Sequence, residues 1–253
     1  MRNGETSMKS YKDLITELYY TQLLEGINDP AIFKAVFMAG GPGSGKSFIA
    51  GKTGLTSMGL RVVNSDDVFE YQLEKEFQRS MKDIGTEDIM SDRGQNIRAG
   101  AKALTNKKKE ILLAGRLGLL IDGTGKDVAK IQKQKAGLES LGYDTMMIFV
   151  NTTLDTSISR DKMRARTVGK KAVTQMWSEV QENIGKFQRL FGSGKFVIVD
   201  NTEGKDFNKE TLLAYRKAKK FINKESSNPA KRRWIENQMK ARGVTKMNRK
   251  KKR

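Results

Sequence analysis

The stretch Gly40-Gly41-Pro42-Gly43-Ser44-Gly45-Lys46-Ser47 decides the fold of this chain. It matches the pattern G-x-x-x-x-G-K-[ST], in which glycines let the backbone curl so that successive N–H groups point at a phosphate. An apolar run rich in strand formers, Ile32–Ala39, precedes the stretch, and a segment of helical character starts at Lys46. A strand, a glycine-rich turn and a helix N-terminus in this order predict a phosphate-binding loop.

The last residues of the stretch indicate what the loop would hold. The Lys46 ammonium is expected to reach the β- and γ-phosphates of a nucleotide, and the Ser47 hydroxyl is expected to bind Mg²⁺. The 253-residue chain contains no Cys and no His. This composition excludes disulfides, thiolate nucleophiles, Cys or His zinc sites and every catalytic pair that uses His. A general base must therefore be a carboxylate, or less often Lys or Tyr, and a bound metal must be a hard cation held by oxygen.

Four more short apolar runs alternate with helical segments along the chain. They are Arg61–Asn64, Leu117–Ile121, Thr145–Val150 and Phe196–Val199. Residues 67–114 are predicted to form two helices that are broken near Ile84-Gly85. The alternation predicts an α/β fold of the P-loop NTPase type, with a five-stranded, mostly parallel sheet and helices on both faces. Ligands of such sheets lie at the carboxyl ends of the strands, so the residues that follow each strand are the candidate site.

Two carboxylates, Asp66 and Asp67, follow the second strand. In the predicted topology they face the terminal phosphate, where a carboxylate accepts the proton of an attacking hydroxyl. We predict that Asp66 is this catalytic base and that Asp67 caps the following helix or belongs to the shell around metal and substrate. The converse assignment, with Asp67 as the base, stays open.

Polar residues also follow the third and fifth strands. Asp122 is a candidate outer ligand of Mg²⁺, and Thr124 is a candidate hydrogen-bond partner of a substrate hydroxyl. The alternative for this segment is an ordinary turn between a strand and a helix. Asn201, after the fifth strand, is a candidate contact for adenine, although an Asx turn explains it equally well.

Two arginines follow the fourth strand and lie one helical turn apart. Arg160 and Arg164 repel each other by roughly 0.2–0.5 kcal/mol at this spacing, a cost that a bound triphosphate would offset. Arginine is suited to stabilising a phosphoryl group during transfer, so both are predicted to be catalytic. The basic segment Val168–Lys171 is expected to form a mobile lid. The alternative is a solvated helix face on which Asp161 pairs locally.

The charge is distributed unevenly. The chain carries a formal net charge of +19, and residues 221–253 contain 12 basic and 2 acidic residues. We divide the chain into an N-terminal helical segment (1–30), a P-loop domain (31–224) and a basic, helical C-terminal tail (225–253). The tail suggests contact with nucleic acid, or else a solvated run of charge. No apolar stretch approaches the ~18 residues that span a bilayer, so we expect no membrane contact and a cytoplasmic location.

The quoted motifs together resemble the zeta-toxin-like P-loop kinases: GGPGSGKS at 40–47, NSDD at 64–67, LLIDGTGK at 119–126, GYDTMMIFV at 142–150 and the arginine-bearing helix. The resemblance covers about residues 31–202, and parts of it also resemble the kinase half of phage-type polynucleotide kinase. It implies ATP with Mg²⁺ as phosphoryl donor and a hydroxyl as acceptor. That hydroxyl belongs to UDP-N-acetylglucosamine in the zeta toxins and to a 5′ end in polynucleotide kinases. An antitoxin-like protein is the implied partner.

The resemblance assigns Lys46 and Ser47 to the nucleotide site, Asp66 to the catalytic base, and Arg160 and Arg164 to the lid. It also matches Asp122 and Thr124 to the third-strand motif of the toxins, and it adds Lys126 to the substrate contacts. The sequence departs from the family on the acceptor side. Asp122 and Lys126 occupy positions where the toxins have Glu and Arg. Asn106 is the nearest match to an acidic residue that faces the substrate in the toxins. Phe69 replaces the arginine that follows the base in polynucleotide kinase. We therefore predict a kinase that acts on a nucleotide sugar or a similar acceptor. The alternatives are a 5′-hydroxyl polynucleotide kinase and a non-catalytic nucleotide-binding phage or accessory protein tethered to nucleic acid.

Overall fold

The computed structural model of the chain describes residues 26–164, 167–225 and 228–245. Its five strands are β1 (Lys34–Ala39), β2 (Arg61–Val63), β3 (Leu119–Asp122), β4 (Asp144–Asn151) and β5 (Phe196–Asp200). They form one parallel sheet in the order β2-β3-β1-β4-β5. The prediction of a five-stranded α/β sheet is confirmed, with strand bounds that move by one or two residues. Residues 1–25 of the predicted N-terminal segment and the final basic run lie outside the described residues.

Helices connect the strands and cover both faces of the sheet. They are α1 (Lys46–Lys52), α2 (Ser65–Phe77), α3 (Thr86–Met90), α4 (Asp92–Ala114), α5 (Val128–Ser140), α6 (Leu154–Lys162), α7 (Lys170–Phe191), α8 (Phe207–Asn223) and α9 (Pro229–Ala241). None of these helices is both long enough and apolar enough to cross a membrane.

The region predicted as two helices contains three. Helix α2 ends at Gln78, whose φ of 51° lies in the left-handed region. The short helix α3 then ends at Ser91, and the Ser91 hydroxyl accepts a hydrogen bond from the Gly94 N–H and so starts α4. The sequence indicated the break near Ile84-Gly85 but not the second boundary, because a Ser cap inside a run of helix formers gives a weak local signal.

Each strand contributes side chains to two separate cores, because successive residues of a strand point to opposite faces. In β1, Ala35 and Phe37 pack under α4, α5 and α7, whereas Val36 and Met38 pack under α1 and α8. All of β1 is buried. A smaller third cluster joins α2, α3 and α4 beside the sheet. The central position of β1 fixes the loop that follows it at the middle of the sheet's carboxyl edge.

The C-terminal helix α9 packs against the opposite, amino-terminal edge. Its Trp234 ring meets Phe33, which directly precedes β1, with ring centroids 5.4 Å apart, and its Ile235 is buried in the same core. The Arg116 guanidinium lies over the Trp234 ring at 5.9 Å. The described part of the basic tail is thus helical, as predicted, and it lies at the end of the sheet remote from residues 40–47.

Candidate active site

A cavity of about 470 Å³ opens at the carboxyl ends of the strands. It brings together the residues that the sequence singles out after β1 to β4: Gly41, Pro42, Gly43, Ser44, Gly45, Lys46, Ser47, Asp66, Asp67, Asp122, Thr124, Arg160 and Arg164. Another hollow, of about 600 Å³, lies between α2 and α4 and contains none of these residues. The cavity at the sheet edge is therefore the candidate site.

The phosphate loop has the curled backbone that its glycines predict. Gly43 and Gly45 have φ values of 69° and 84°, which side-chain-bearing residues rarely adopt. A Cβ atom at Gly43 would lie 2.6 Å from the carbonyl oxygen of Ser157. The Lys46 ammonium donates a hydrogen bond to the Gly40 carbonyl at 2.9 Å. Burial lowers the pKa of Lys46, while the carboxylate of Asp122 acts in the opposite direction.

Asn201 supports this loop from behind. Its buried side-chain amide donates a hydrogen bond to the Ser44 carbonyl at 2.8 Å, and it does not line the cavity. The sequence suggested that Asn201 contacts adenine. The structure gives its amide a different partner, because the loop after β5 runs directly beneath the phosphate loop.

The start of α2 is capped by Asn64 rather than by either aspartate. The Asn64 side-chain oxygen accepts a hydrogen bond from the Asp66 N–H at 2.9 Å, and its amide donates to the Asp67 carboxylate at 2.9 Å. The prediction that Asp67 caps this helix is wrong, since Asn64 occupies the N-cap position. Both carboxylates are consequently left facing the cavity.

The two aspartates differ in their surroundings. Asp67 also lines a smaller hollow of about 210 Å³, where it meets Ser47 and Asp122, and Asp66 does not. Partial loss of solvent raises the pKa of Asp67, the charge of Asp66 adds to that rise, and Lys108 opposes it. Asp67 therefore shares a hollow with the candidate cation ligands Ser47 and Asp122, whereas Asp66 lines only the main cavity.

The end of β3 offers an oxygen ligand for a cation. One carboxylate oxygen of Asp122 is buried and has no hydrogen-bond partner, and the other accepts a 3.3 Å hydrogen bond from the Asn64 amide. Burial raises the pKa of Asp122, and Lys46 opposes the rise. Within the described ranges no three carboxylates cluster into a self-sufficient metal site. Asp122 and the exposed Ser47 hydroxyl thus fit a Mg²⁺ ion that phosphates would also help to hold.

Lys126 does not line the main cavity. Its ammonium pairs with Glu179 of α7 at 3.1 Å, and it lines a second cavity of about 600 Å³ that shares Asp122 and Thr124 with the first. This acceptor-side cavity, as we call it, is also lined by three lysines that the sequence reasoning missed: Lys102, Lys109 and Lys130. Part of this lining could have been predicted from the sequence, because the polar residues 102, 105, 106 and 109 share one helix face at i, i+3, i+4 and i+7.

The two arginines line the same cavity as the two aspartates. Arg160, in the last turn of α6, donates a weak 3.4 Å hydrogen bond to the Gly43 carbonyl, and Arg164 follows just beyond the helix end. In the segment expected to be a mobile lid, Val168 and Gly169 donate their backbone N–H groups to the Asp161 carboxylate, and Lys170 begins helix α7. Asp161 therefore bonds locally, as the alternative expected, but to the backbone of this segment. The mobility of the segment stays a prediction.

Comparison with solved structures supports the fold. A chain from the AvrRxo1-ORF1:-ORF2 crystal structure with ATP superimposes with a TM-score of 0.53 at 13% identity, and the match covers 75% of this chain and 62% of that one. This chain therefore spans less than two thirds of that relative. A putative kinase from Chloroflexus aurantiacus gives a TM-score of 0.51 at 16% identity, covering 74% of this chain and 97% of that one.

A structure of the PezAT chromosomal toxin-antitoxin system of Streptococcus pneumoniae gives a TM-score of 0.52 at 15% identity, covering 94% of this chain and 99% of that one. Among curated proteins no sequence matches significantly. The profile of the zeta toxin family matches residues 24–211, which include every strand and the whole candidate site. Because this match spans most of the sequence and the P-loop kinase fold agrees with it, the chain belongs to the zeta toxin family.

Proposed function

We propose that the chain is an ATP-dependent kinase that transfers the γ-phosphoryl group to a hydroxyl of a nucleotide sugar or a similar acceptor. The observation that carries the proposal is one cavity that is lined by the phosphate loop, two aspartates and two arginines. ATP fits this site because backbone N–H groups and Lys46 match its β- and γ-phosphates. The AvrRxo1 relative with bound ATP supports the same assignment.

Phosphoryl transfer in this geometry needs positioning and charge stabilisation more than covalent chemistry. The carboxylate of Asp66 takes the proton of the acceptor hydroxyl as the new O–P bond forms, and the bond from the γ-phosphorus to the bridging oxygen breaks to release ADP. Arg160 and Arg164 stabilise the negative charge that spreads over the transferring group. Ser47 and Asp122 would hold Mg²⁺, which would supply charge neutralisation to the phosphates of the nucleotide.

The acceptor-side cavity supports a negatively charged acceptor. Lys102, Lys109 and Lys130 line it, and within the described part of the chain no salt bridge pairs them with a carboxylate. Burial lowers the pKa of Lys109, and the nearby charge of Lys130 lowers it further. An acceptor that carries a diphosphate would relieve this repulsion, as a nucleotide sugar does.

The decisive experiment offers the purified chain ATP, Mg²⁺ and either UDP-N-acetylglucosamine or a 5′-hydroxyl oligonucleotide, and measures the phosphorylated product. We expect the nucleotide sugar to be phosphorylated. Lys109→Met and Lys130→Met should each raise the KM for that acceptor by about 10- to 100-fold, the value of a lost charged hydrogen bond, with the KM for ATP unchanged.

Lys133→Met is the matched control, because Lys133 is exposed on α5 and lines neither cavity. Transfer to the oligonucleotide alone would favour the 5′-hydroxyl kinase. Transfer to neither acceptor, with ATP still bound, would favour the non-catalytic nucleotide-binding protein.

We also propose that the outward face of α9 contacts nucleic acid. Arg232, Arg233 and Lys240 are exposed there, while Trp234 and Ile235 hold the helix to the body. This face lies at the amino-terminal edge of the sheet, opposite the site, so a bound nucleic acid would be a tether and not the acceptor. An antitoxin-like protein is the further partner we propose, on the basis of the family and the PezAT relative.

Point substitutions test the tether better than truncation, because deleting α9 would expose the core under Trp234. The triple variant R232E/R233E/K240E should weaken binding to a 20-nucleotide RNA at least about tenfold. The slope of log K against log salt concentration should become shallower by up to about 2, because each phosphate contact on a single strand contributes about 0.7 to it. Kinase activity should not change. Fluorescence anisotropy between about 50 and 200 mM salt measures the binding, because phosphate contacts weaken over this range. If the variant binds RNA as tightly as the wild-type chain, the tether is contradicted.

A further inference from the structure

The end of helix α6 and the start of helix α7 are joined by one buried carboxylate. Asp161 is 2% exposed. Its two oxygens accept hydrogen bonds from the Val168 N–H at 3.1 and 3.0 Å, and one of them also accepts from the Gly169 N–H at 3.0 Å. The proposed transfer mechanism does not use this carboxylate.

The hydrogen bonds from Val168 and Gly169 to Asp161 replace the N-terminal cap that the start of α7 lacks. Gly169, its N-cap residue, has no side chain to accept a hydrogen bond, and no acidic residue lies in the first turn. That turn instead begins with Lys170 and Lys171, whose positive charges oppose the partial positive charge of a helix N-terminus. Asp161 provides both the missing acceptor and the compensating negative charge from the neighbouring helix.

Helix α7 is itself fixed to the sheet. The Trp177 indole N–H donates to the Thr152 carbonyl at 2.8 Å, and the Gln181 amide donates to the Asn151 side chain at 2.7 Å. The Asn183 amide donates to the Gly125 and Lys126 carbonyls beyond β3. A bond from Asp161 to the start of α7 therefore connects the end of α6 to a rigid support.

Both candidate catalytic arginines lie at the end of α6, which Asp161 connects to α7. Arg160 is its direct neighbour in α6, and the Arg164 N–H donates to the Asp161 carbonyl at 3.1 Å. Arg160, Arg164 and Val168 all line the main cavity, whereas Asp161 does not. A change in the Asp161 bonds would therefore move the arginines without removing any group that faces the cavity.

We propose that Asp161 is a positioning residue, which holds Arg160 and Arg164 against the triphosphate by bonding the end of α6 to the start of α7. The inference rests on the proposed function, in which the two arginines bind the triphosphate. The hydrogen bonds of Asp161 can nevertheless be tested without any acceptor. Asp161 touches no reacting atom. Its effect passes entirely through the placement of the two guanidinium groups.

The test compares Asp161→Ala and Asp161→Asn with the wild-type chain. We expect Asp161→Ala to increase amide hydrogen exchange at Val168 and Gly169 at least about tenfold, because a buried charged hydrogen bond is lost. Affinity for a non-hydrolysable ATP analogue with Mg²⁺ should fall about tenfold, while affinity for ADP should change little. Asp161→Asn keeps an acceptor oxygen and should recover most of the exchange protection and part of the affinity.

Asp155→Ala is the matched control, since Asp155 is an exposed acid in the first turn of the same helix. Thermal melting of each variant shows whether it is folded. Unchanged exchange at Val168 and Gly169 in Asp161→Ala would overturn the inference, and so would faster exchange with no loss of ATP-analogue affinity. A wild-type chain that phosphorylates no acceptor would refute the proposed function instead, and the exchange and affinity results would still decide the role of Asp161.

Discussion

Asp66→Asn is expected to bind ATP as tightly as the wild-type chain and to transfer its γ-phosphoryl group about 10²- to 10⁴-fold more slowly, the usual contribution of a general base. The amide keeps the size of the side chain but cannot accept the hydroxyl proton. Asn64 caps α2 through the backbone N–H of residue 66, so the helix start should survive the change. Single-turnover transfer to the acceptor and calorimetric ATP binding measure the two quantities separately.

The companion variant Asp67→Asn decides between the two aspartates. Asp67 shares the smaller hollow with Ser47 and Asp122, so its loss should raise the Mg²⁺ concentration needed for half-maximal rate. The rate at saturating Mg²⁺ should fall less than in Asp66→Asn. If Asp67→Asn instead loses more activity at saturating Mg²⁺, Asp67 is the base and the assignment of Asp66 is wrong.

Gly43→Ala is expected to weaken ATP binding about 5- to 150-fold, because a side-chain-bearing residue at its φ of 69° is strained by about 1–3 kcal/mol. The added Cβ would also lie 2.6 Å from the Ser157 carbonyl oxygen, an atom of the α6 backbone that cannot move freely. The loop must therefore open, and its N–H groups then no longer converge. Titration with a fluorescent ATP analogue measures the loss.

Gly137→Ala, in α5, provides the control. A Cβ at Gly137 meets nothing within 4 Å, and Gly137 lines none of the cavities described above. Replacing a helical glycine by alanine should stabilise the fold by about 0.5–1 kcal/mol and leave ATP affinity unchanged. Equal affinity losses in the two variants would show that the loop does not depend on the backbone conformation of Gly43.

The sequence predicted the elements whose signals are local. The phosphate loop is defined by eight consecutive residues, and the buried strands are apolar runs bounded by glycine or polar residues. Parallel sheets bind their ligands at the carboxyl ends of the strands. The predicted strands were therefore enough to predict that Asp66, Asp122 and Arg160 lie in one cavity. All three residues line that cavity in the structure.

The features that sequence reasoning missed depend on pairs of residues far apart in the chain. Asn201 reaches the Ser44 carbonyl across 157 positions, and Lys126 meets Glu179 across the site. Lysines of α4 and α5 line one cavity only after β3 has placed the two helices side by side. Asn64 was assigned to the end of the second strand, and its capping role was missed because Asp66 and Asp67 offer the same capping chemistry two and three residues later.

The packing of Trp234 on Phe33 also constrains how the protein is made. The two rings are separated by roughly 200 positions, so at 5–20 residues per second a ribosome needs roughly 10–40 s to supply the second ring after the first. Late in that interval, after β5 has been made, the nascent chain holds its nucleotide loop and all five strands but leaves an aromatic surface bare. Premature termination between Asp200 and Trp234 would therefore release a chain that retains the catalytic motifs and is prone to aggregate or be degraded.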